Sequence, residues 1–408
     1  MPSDVCGGNL RRVRPADFPS AGAVSRVTRV GLAGAAVMAA TFGMARYVYG
    51  LTLPDVRAEL DLPEPVLGLI ASGTFVGFLL ALGLSKPLAA WKGARAPTTL
   101  GGACGTLGCA VVAGAPSPPI LAAGVLVAGS AAGWVWAPYS DIVAAVTPEG
   151  DRPRLLAWIT TGASGGLVLV GPLALAAASW ASWRATWGGI AVVSAAAVVL
   201  NLRWVPRIPP HRPSHGRGVV LTRGLQAPLV FAVALFAAAT AYFTYATDAA
   251  ARNGLGEVAG PVVFLLVGVV GLAGLRAGSM TTRFGSRAVA LGALAALASS
   301  LIVLGLGAGW LAAVLLSAVV FGVGNVVGSA ALAVWTAEQV PEQPAAAFTA
   351  TLLVGSLSSI VTPALIGALA PHIGLAAVLL AVAAMTVITG LVLAVARGPR
   401  RGDERARC

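Results

Sequence analysis

The chain has 408 residues, of which 57% are hydrophobic and only 10% charged, at a mean hydropathy of +0.86. Soluble domains carry about 25% charged residues, so a protein dissolved in water is excluded. A formal net charge of +12 would suit a nucleic-acid partner, but the placement of the charge, given below, excludes that too.

Residues 1–27 are polar and arginine-containing and read as a disordered cytoplasmic N-terminal tail. Apolar runs then recur to the end of the chain, each near the roughly 20 residues that a helix needs to cross a ~30 Å hydrocarbon core. They lack strand alternation, and in lipid every backbone group must be satisfied within a helix or a closed barrel. Twelve transmembrane helices are therefore predicted, at 28–52, 65–85, 97–115, 119–146, 154–177, 186–205, 226–249, 260–279, 288–306, 310–338, 347–369 and 374–396. The first is too long for a signal-peptide core and has no small-residue cleavage site after it, so it is read as retained. The proline-rich, basic segment "PRIPPHRPSHGRG" (206–218) opens a cytoplasmic linker, 206–225, that divides the helices six and six. The predicted units are a bundle at 28–205, a bundle at 226–396 and a cytoplasmic tail at 397–408.

With the N-terminus cytoplasmic, 22 of the 27 basic residues fall on the inner side; Arg57, Arg184 and Arg252 fall outside, and Arg46 and Arg276 lie within helices. That is the positive-inside bias, so the basicity is topological. Both termini are expected in the cytoplasm, and the protein is expected to be a multi-pass protein of the plasma (inner) membrane. Cys104 and Cys109 are five apart on helix 3 and share a face poorly, while Cys6 and Cys408 are in tails where disulfides rarely persist. His211, His215 and His372 are all in loops, so the sequence shows no metal site, catalytic residue or cofactor, and an enzyme is not expected.

Landmarks repeat across the linker. "WKGAR" and "RFGSR" are 192 residues apart, Pro172 and Pro363 are 191 apart, Pro148 and Pro341 are 193 apart, and "PVLGLI" and "PVVFLL" are 196 apart. Four matches in order make an internal repeat of six helices in parallel orientation. Such halves, related by an axis along the membrane normal, typify one transporter architecture with its site between them near the midplane.

With these residues the chain resembles the major facilitator superfamily (MFS) over 28–396. "GSMTTRFGSR" (278–287) is similar to the family's gating motif at Gly278, Arg283, Gly285 and Arg287, with Thr282 at the motif's Asp position. "KPLAAWKGAR" (86–95) keeps Leu88, Ala89, Gly93 and Arg95, with Ala90 at that position. The resemblance implies a loop that helps hold one gate closed, and the loss of both carboxylates departs from it. Helix 5, "GASGGLVLVGPL", is similar to the family's antiporter signature at Gly171 and Pro172 but lacks its closing glycines. The first hairpin, through Gly43, Arg46, Tyr47, Tyr49, Gly50, Leu53 and Pro54, resembles the YbfB/YjiJ-type branch, which brings no known substrate.

Candidate site residues are the polar groups set in apolar helices. In "TFGMARYVYGLTLP" (41–54), Arg46 is the only charge of residues 32–49. Intramembrane charge costs about 2.5–3.5 kcal/mol on insertion scales and generally faces a cavity or partner. The alternative is that it snorkels to the outer surface or pairs structurally. A cavity-facing guanidinium would suit a carboxylate or phosphate. Asp248, in "AYFTYATD" of helix 7, aligns through the repeat with Thr52; it either pairs with Arg46 across the halves or sits in the outer loop. Asp141, in "WVWAPYSDIV" of helix 4, is a proton-coupling candidate if desolvation raises its pKa. Otherwise it pairs with Arg152 or Arg154 at the interface. Asp141 and Asp248 are the coupling candidates. Tyr49, Tyr139, Tyr242, Tyr245 and Asn325 join Arg46 as substrate-binding candidates, with interhelical glue as the other reading of Asn325. Glu338 reads as a gate or surface residue, and Arg276 as snorkelling inward. Trp91, Trp180, Trp183, Trp187, Trp204 and Trp310 read as an interfacial belt.

The sequence thus predicts an all-α integral membrane protein with twelve helices in two pseudo-symmetric bundles, acting as a monomeric secondary transporter. It would move a small organic molecule, anionic if Arg46 faces the cavity, by alternating access. Proton coupling is a family-level implication, and efflux follows from the helix 5 resemblance. A non-transporting sensor or scaffold on the same fold is the alternative.

Overall fold

The computed structural model describes residues 25–178, 182–210, 223–273 and 277–395. Residues 1–24 of the predicted tail, most of the linker and the chain from 396 lie outside the described residues. So do Trp180, His211, His215, Arg276, Cys6 and Cys408.

Every regular element among the described residues is a helix. Eleven are long and apolar enough to cross a membrane. In the first half these are α1 (Arg26–Leu60), α2 (Glu64–Lys92), α3 (Arg95–Ala113), α4 (Pro118–Val146), α5 (Glu149–Ala178) and α6 (Trp183–Trp204). The second half has α7 (Gln226–Arg252), then α8 (Ala259–Ala273), which is apolar but shorter. It continues with α9 (Ser286–Gly307), α10 (Leu311–Gln339), α11 (Pro344–Ile373) and α12 (Leu375–Val395). A short helix, Ala277–Phe284, follows α8. The twelve predicted helices are present, and α1 runs on through Pro54, past the end that the sequence predicts.

Two helices are locally irregular. Proline at 138 has no N–H to give the carbonyl four residues earlier and its ring crowds that carbonyl. Accordingly α4 divides into Pro118–Gly133 and Trp136–Val146, and the freed Trp134 carbonyl accepts from the Ser85 hydroxyl of α2 at 3.2 Å. In α1 the turns over Ala39–Ala45 widen to π-helix, just before Arg46. Such bulges are rare and often mark functional sites.

The halves meet mainly through three helix pairings: α1 with α7, α2 with α11, and α5 with α8. A two-fold axis along the membrane normal exchanges the last two pairings and returns the first to itself. Glycines set the spacing. A Cβ on Gly50 would lie 1.9 Å from the Phe243 carbonyl oxygen, and one on Gly68 would lie 2.5 Å from that of Pro363. Gly171 likewise faces the Pro261 carbonyl at 2.5 Å. Apolar contact between the halves continues inward to Leu352 and Leu353, which pack against Phe78 and Leu82.

The repeat is visible in local geometry as well. Gly93 and Gly285 both turn with φ +83°, a conformation that favours glycine. Two residues on, Arg95 donates to the carbonyls of Leu202 and Val205 at 3.3 and 3.1 Å, and Arg287 donates to those of Leu393 and Ala394. Each arginine thus caps the carbonyl end of the last helix of its own bundle, where a cation also meets the negative end of the helix dipole. Glu338 accepts from the Ser286 hydroxyl at the start of α9. These arginine–carbonyl contacts lie within a half.

Candidate functional site

The end of the bundle holding the α1–α2 and α7–α8 turns is the outer end in the orientation that the arginines predict. There the halves are joined by ions. Asp248, fully buried inside α7 rather than in a loop, lies with its Oδ1 2.5 Å from Arg57 Nη1 and accepts from Nη2 at 2.6 Å through Oδ2. Arg252, one turn on, donates to the same Oδ2 at 3.0 Å and reaches Glu64 at 2.6 Å. Arg57 and Glu64 belong to the first half, Asp248 and Arg252 to the second, so each half gives one cation and one anion to the other. Outside this clasp a vestibule of about 520 Å³ separates the halves, lined among others by Asp55, Glu59, Trp183 and Glu257.

Arg46 is therefore not the partner of Asp248, as the sequence had allowed. It does not snorkel either, being only 4% exposed. Its guanidinium carbon lies 3.8 Å from the centre of the Phe78 ring, 5.3 Å from Phe75, and 5.5 Å from both Phe42 and Tyr47. Its Nε and Nη1 meet no hydrogen-bond partner. Cation–π contacts contribute about 0.5–2 kcal/mol each. Desolvating an unpaired ion costs several kcal/mol. The four rings together offset an amount of the same order as that cost. The group opens on a void of about 10 Å³ lined by Tyr49, Thr74 and Phe75 from one half and Phe243 and Thr244 from the other. A space of this size takes about one water.

The other predicted ligands are engaged elsewhere. Tyr49 donates to the Leu67 carbonyl at 3.1 Å, at the edge of the void. Tyr139 donates to Asn201 at 2.9 Å, and Asn201 in turn donates to Thr98 and Thr99 at 3.1 and 3.0 Å. That network ties α4, α6 and α3 inside the first half, away from Arg46. Tyr242 shares a 2.8 Å hydrogen bond with Ser317 and stacks on Phe321 at 3.9 Å, while Tyr245 donates to the Pro363 carbonyl at 2.9 Å. Asn325 is half-buried on α10, and its carbonyl accepts from Ser329. Asp141 is exposed near the end of α4. Of the gating-motif residues, Arg283 is exposed over Phe284 and Gly278 lies in the short helix before it.

Two of the tryptophans assigned to the belt are internal. Trp187 is 1% exposed and donates to Thr52 at 3.1 Å, and Trp183 donates to Glu59 at 2.6 Å. Trp91 and Trp310 are exposed, as a belt requires. The sequence reading missed Arg57, Glu64, Arg252 and Asn201. A signal for two of them was available, because Arg57 and Arg252 are two of the three arginines on the side that should have few. The third, Arg184, pairs with Glu59.

With this geometry in hand, comparison with known proteins is decisive on one point. The profile described as Major Facilitator Superfamily matches residues 35–277, more than half of the chain. The chain belongs to the Major Facilitator Superfamily. None of the curated proteins compared matches it. Among solved structures, a mutant of the nucleoside transporter NupG matches with a TM-score of 0.73 at 14% identity, over 90% of this chain and 99% of that one. The inward-open xylose transporter XylE from E. coli matches with 0.73 at 14%, over 92% and 98%. A POT family transporter in complex with 5-aminolevulinic acid matches with 0.72 at 12%, over 90% and 95%. At these identities the likeness is one of fold: the twelve-helix MFS transporter fold, built for moving molecules across a membrane. In the predicted orientation, the outer side of this MFS fold is closed by the Arg57–Asp248–Arg252–Glu64 clasp.

Proposed function

We propose that this MFS protein is a secondary transporter of the plasma membrane, with both termini cytoplasmic, that moves a small organic anion by alternating access as a monomer. The bundles 28–205 and 226–396 rock against each other about the seam where α1 meets α7. The observation that carries the reading is Arg46: a buried cation with open donors, at the seam, on a void lined by both halves. Charge within a membrane helix generally faces a partner or a cavity and marks a functional site by default.

Proton coupling is assigned to Asp248, which holds Arg57 and Arg252 in the outer clasp, with Asp141, exposed towards the inner end, as the second candidate. Efflux rests on the Gly171–Pro172 resemblance, and membership of the YbfB/YjiJ-type branch rests on the first hairpin alone. The gating-motif residues Gly93, Arg95, Gly278, Arg283, Gly285 and Arg287 support the gate by keeping each bundle rigid.

The test is thermal unfolding of the purified protein with a panel of carboxylates and phosphates, wild type beside Arg46→Ala. A ligand at 100 times its dissociation constant adds about 2.7 kcal/mol of stability. Stabilisation of the wild type and not of the variant is expected. Equal stabilisation of both removes Arg46 from the binding site.

A further inference from the structure

The hydrogen bonds that Arg46 lacks and the space beside it together restrict what can sit on the guanidinium. Arg46 is the single buried ion among the described residues that has no ion-pair partner; Asp248, the other, is held by two arginines. The clasp of Arg57, Arg252, Asp248 and Glu64 sums to zero charge and leaves that of Arg46 uncompensated. Four aromatic rings ease the charge itself. A ring face is a weak acceptor, however, and Nε and Nη1 are without a hydrogen-bond partner. A buried donor in that condition is costly, and more so when it is charged.

Two hydroxyls border the same space. Thr74 of α2 and Thr244 of α7, 3% and 5% exposed, line the void from opposite halves. Thr41 and Thr52 of α1 spend their hydroxyls on the Val37 and Val48 carbonyls, and Thr240 of α7 spends its own on Ser359. The hydroxyls of Thr74 and Thr244 have no such partner among the described residues. Three groups able to donate, from α1, α2 and α7, therefore share one small volume.

That volume is about 10 Å³, room for one particle the size of a water. Packed rings close it in: Tyr47 stacks on Phe243 at 3.9 Å across the halves, and Phe42 meets Phe78 edge-on at 6.1 Å. A carboxylate or phosphate carries two or more oxygens on a central atom and exceeds this space. Water has the size but brings no charge. A monatomic anion meets both conditions, because it neutralises one cation and accepts from several donors without a directional demand.

We infer that, with the outer side closed, Arg46 holds a single halide ion seated between Thr74 of one half and Thr244 of the other. This rests on the reading that Arg46 receives an anion, and it gives the closed state its own occupant. An organic anion reaches the guanidinium only after the halves part and the halide leaves.

The experiment follows the unfolding midpoint of the full-length purified protein in graded chloride, bromide, iodide and sulfate. Arg46→Met, an adaptable apolar side chain for an aromatic setting, subtracts the general effect of salt. Replacing a buried ion by an apolar residue is often neutral or stabilising; Arg46→Ala is the second variant should Arg46→Met fail to fold. In the wild type the midpoint is expected to rise saturably with chloride and bromide, at concentrations at least 10-fold lower than with iodide or sulfate. Neither Arg46 variant should show that saturable rise. Thr244→Val, which keeps the side-chain shape, should weaken chloride about 10-fold, and equilibrium binding of radioactive chloride should give one ion per chain. An equal response to chloride in the wild type and the Arg46 variants means that the space takes water, and overturns the inference. If sulfate or a carboxylate acts through Arg46 as tightly as chloride, the halide is overturned while the anion reading survives. If no anion of any kind acts through Arg46, both fall. Chloride binding that depends on Arg46 but ignores Thr244→Val overturns the seat between the halves.

Discussion

Removing the charge of Asp248 is the most direct way to weigh the outer clasp. Asp248→Asn keeps the shape of the side chain but leaves Arg57 unpaired and takes one partner from Arg252, which keeps Glu64. Breaking one side of a buried pair costs about 3–5 kcal/mol. Asp248 is fully buried, but the two arginines are 25% and 28% exposed and can recruit water, so the lower end, about 3 kcal/mol, applies. Every 1.4 kcal/mol is a factor of ten, so the ratio of outer-open to outer-closed molecules should rise roughly 100-fold. Thr244 lies beneath the clasp, 5% exposed on the void, and is the place for a reporter. With Cys6, Cys104, Cys109 and Cys408 replaced by serine, Thr244→Cys should react slowly with a membrane-impermeant thiol reagent added from the outer side. When opening is fast relative to reaction, the labelling rate follows the open population. Adding Asp248→Asn should therefore speed labelling by up to 100-fold. A change of less than about threefold, in a protein that still melts cooperatively, refutes the clasp as the element that holds the outer side shut.

Gly50→Ala places a Cβ 1.9 Å from the Phe243 carbonyl oxygen. Backbone cannot yield as a side chain can, so α1 and α7 must separate; the same thiol reporter should label faster, and flux should fall without loss of folded protein. Asn201→Ala removes three interhelical hydrogen bonds, to Tyr139, Thr98 and Thr99. At about 0.6 kcal/mol each in membrane proteins, the loss is about 2 kcal/mol, read as a lower unfolding midpoint with substrate affinity unchanged. Arg95→Ala and Arg287→Ala uncap α6 and α12 respectively. Each should lower the unfolding midpoint by a similar amount, while for Arg95→Ala the Thr244→Cys labelling stays as in the parent, because Arg95 holds carbonyls of its own half.

The sequence by itself determined the class of the molecule. Charge-poor apolar runs of membrane-crossing length allow helices and little else, since lipid offers no partner for an open backbone. The constant offset between "WKGAR" and "RFGSR" exposed the repeat, and the structure returns it as matching glycine turns at 93 and 285 and matching arginine caps at 95 and 287. Arg46 stood out as a charge in a place where charge is costly. What each polar group faces was decided only by tertiary packing. Tyr139 and Trp187 are chemically equipped for a ligand or an interface, yet both spend their polar atoms inside the first half. Asp248 aligned with Thr52 along the repeat, but its partner turned out to be Arg57, five residues further along α1, because α1 continues as a helix past Pro54 and carries that arginine to α7. A helix presents its side chains all round its axis, and spacing along the chain fixes only which of them share a face. Which face meets a neighbour, a cavity or lipid depends on how closely glycines such as Gly50 and Gly68 let the other half approach, and that is a property of the packed pair of helices rather than of either sequence alone.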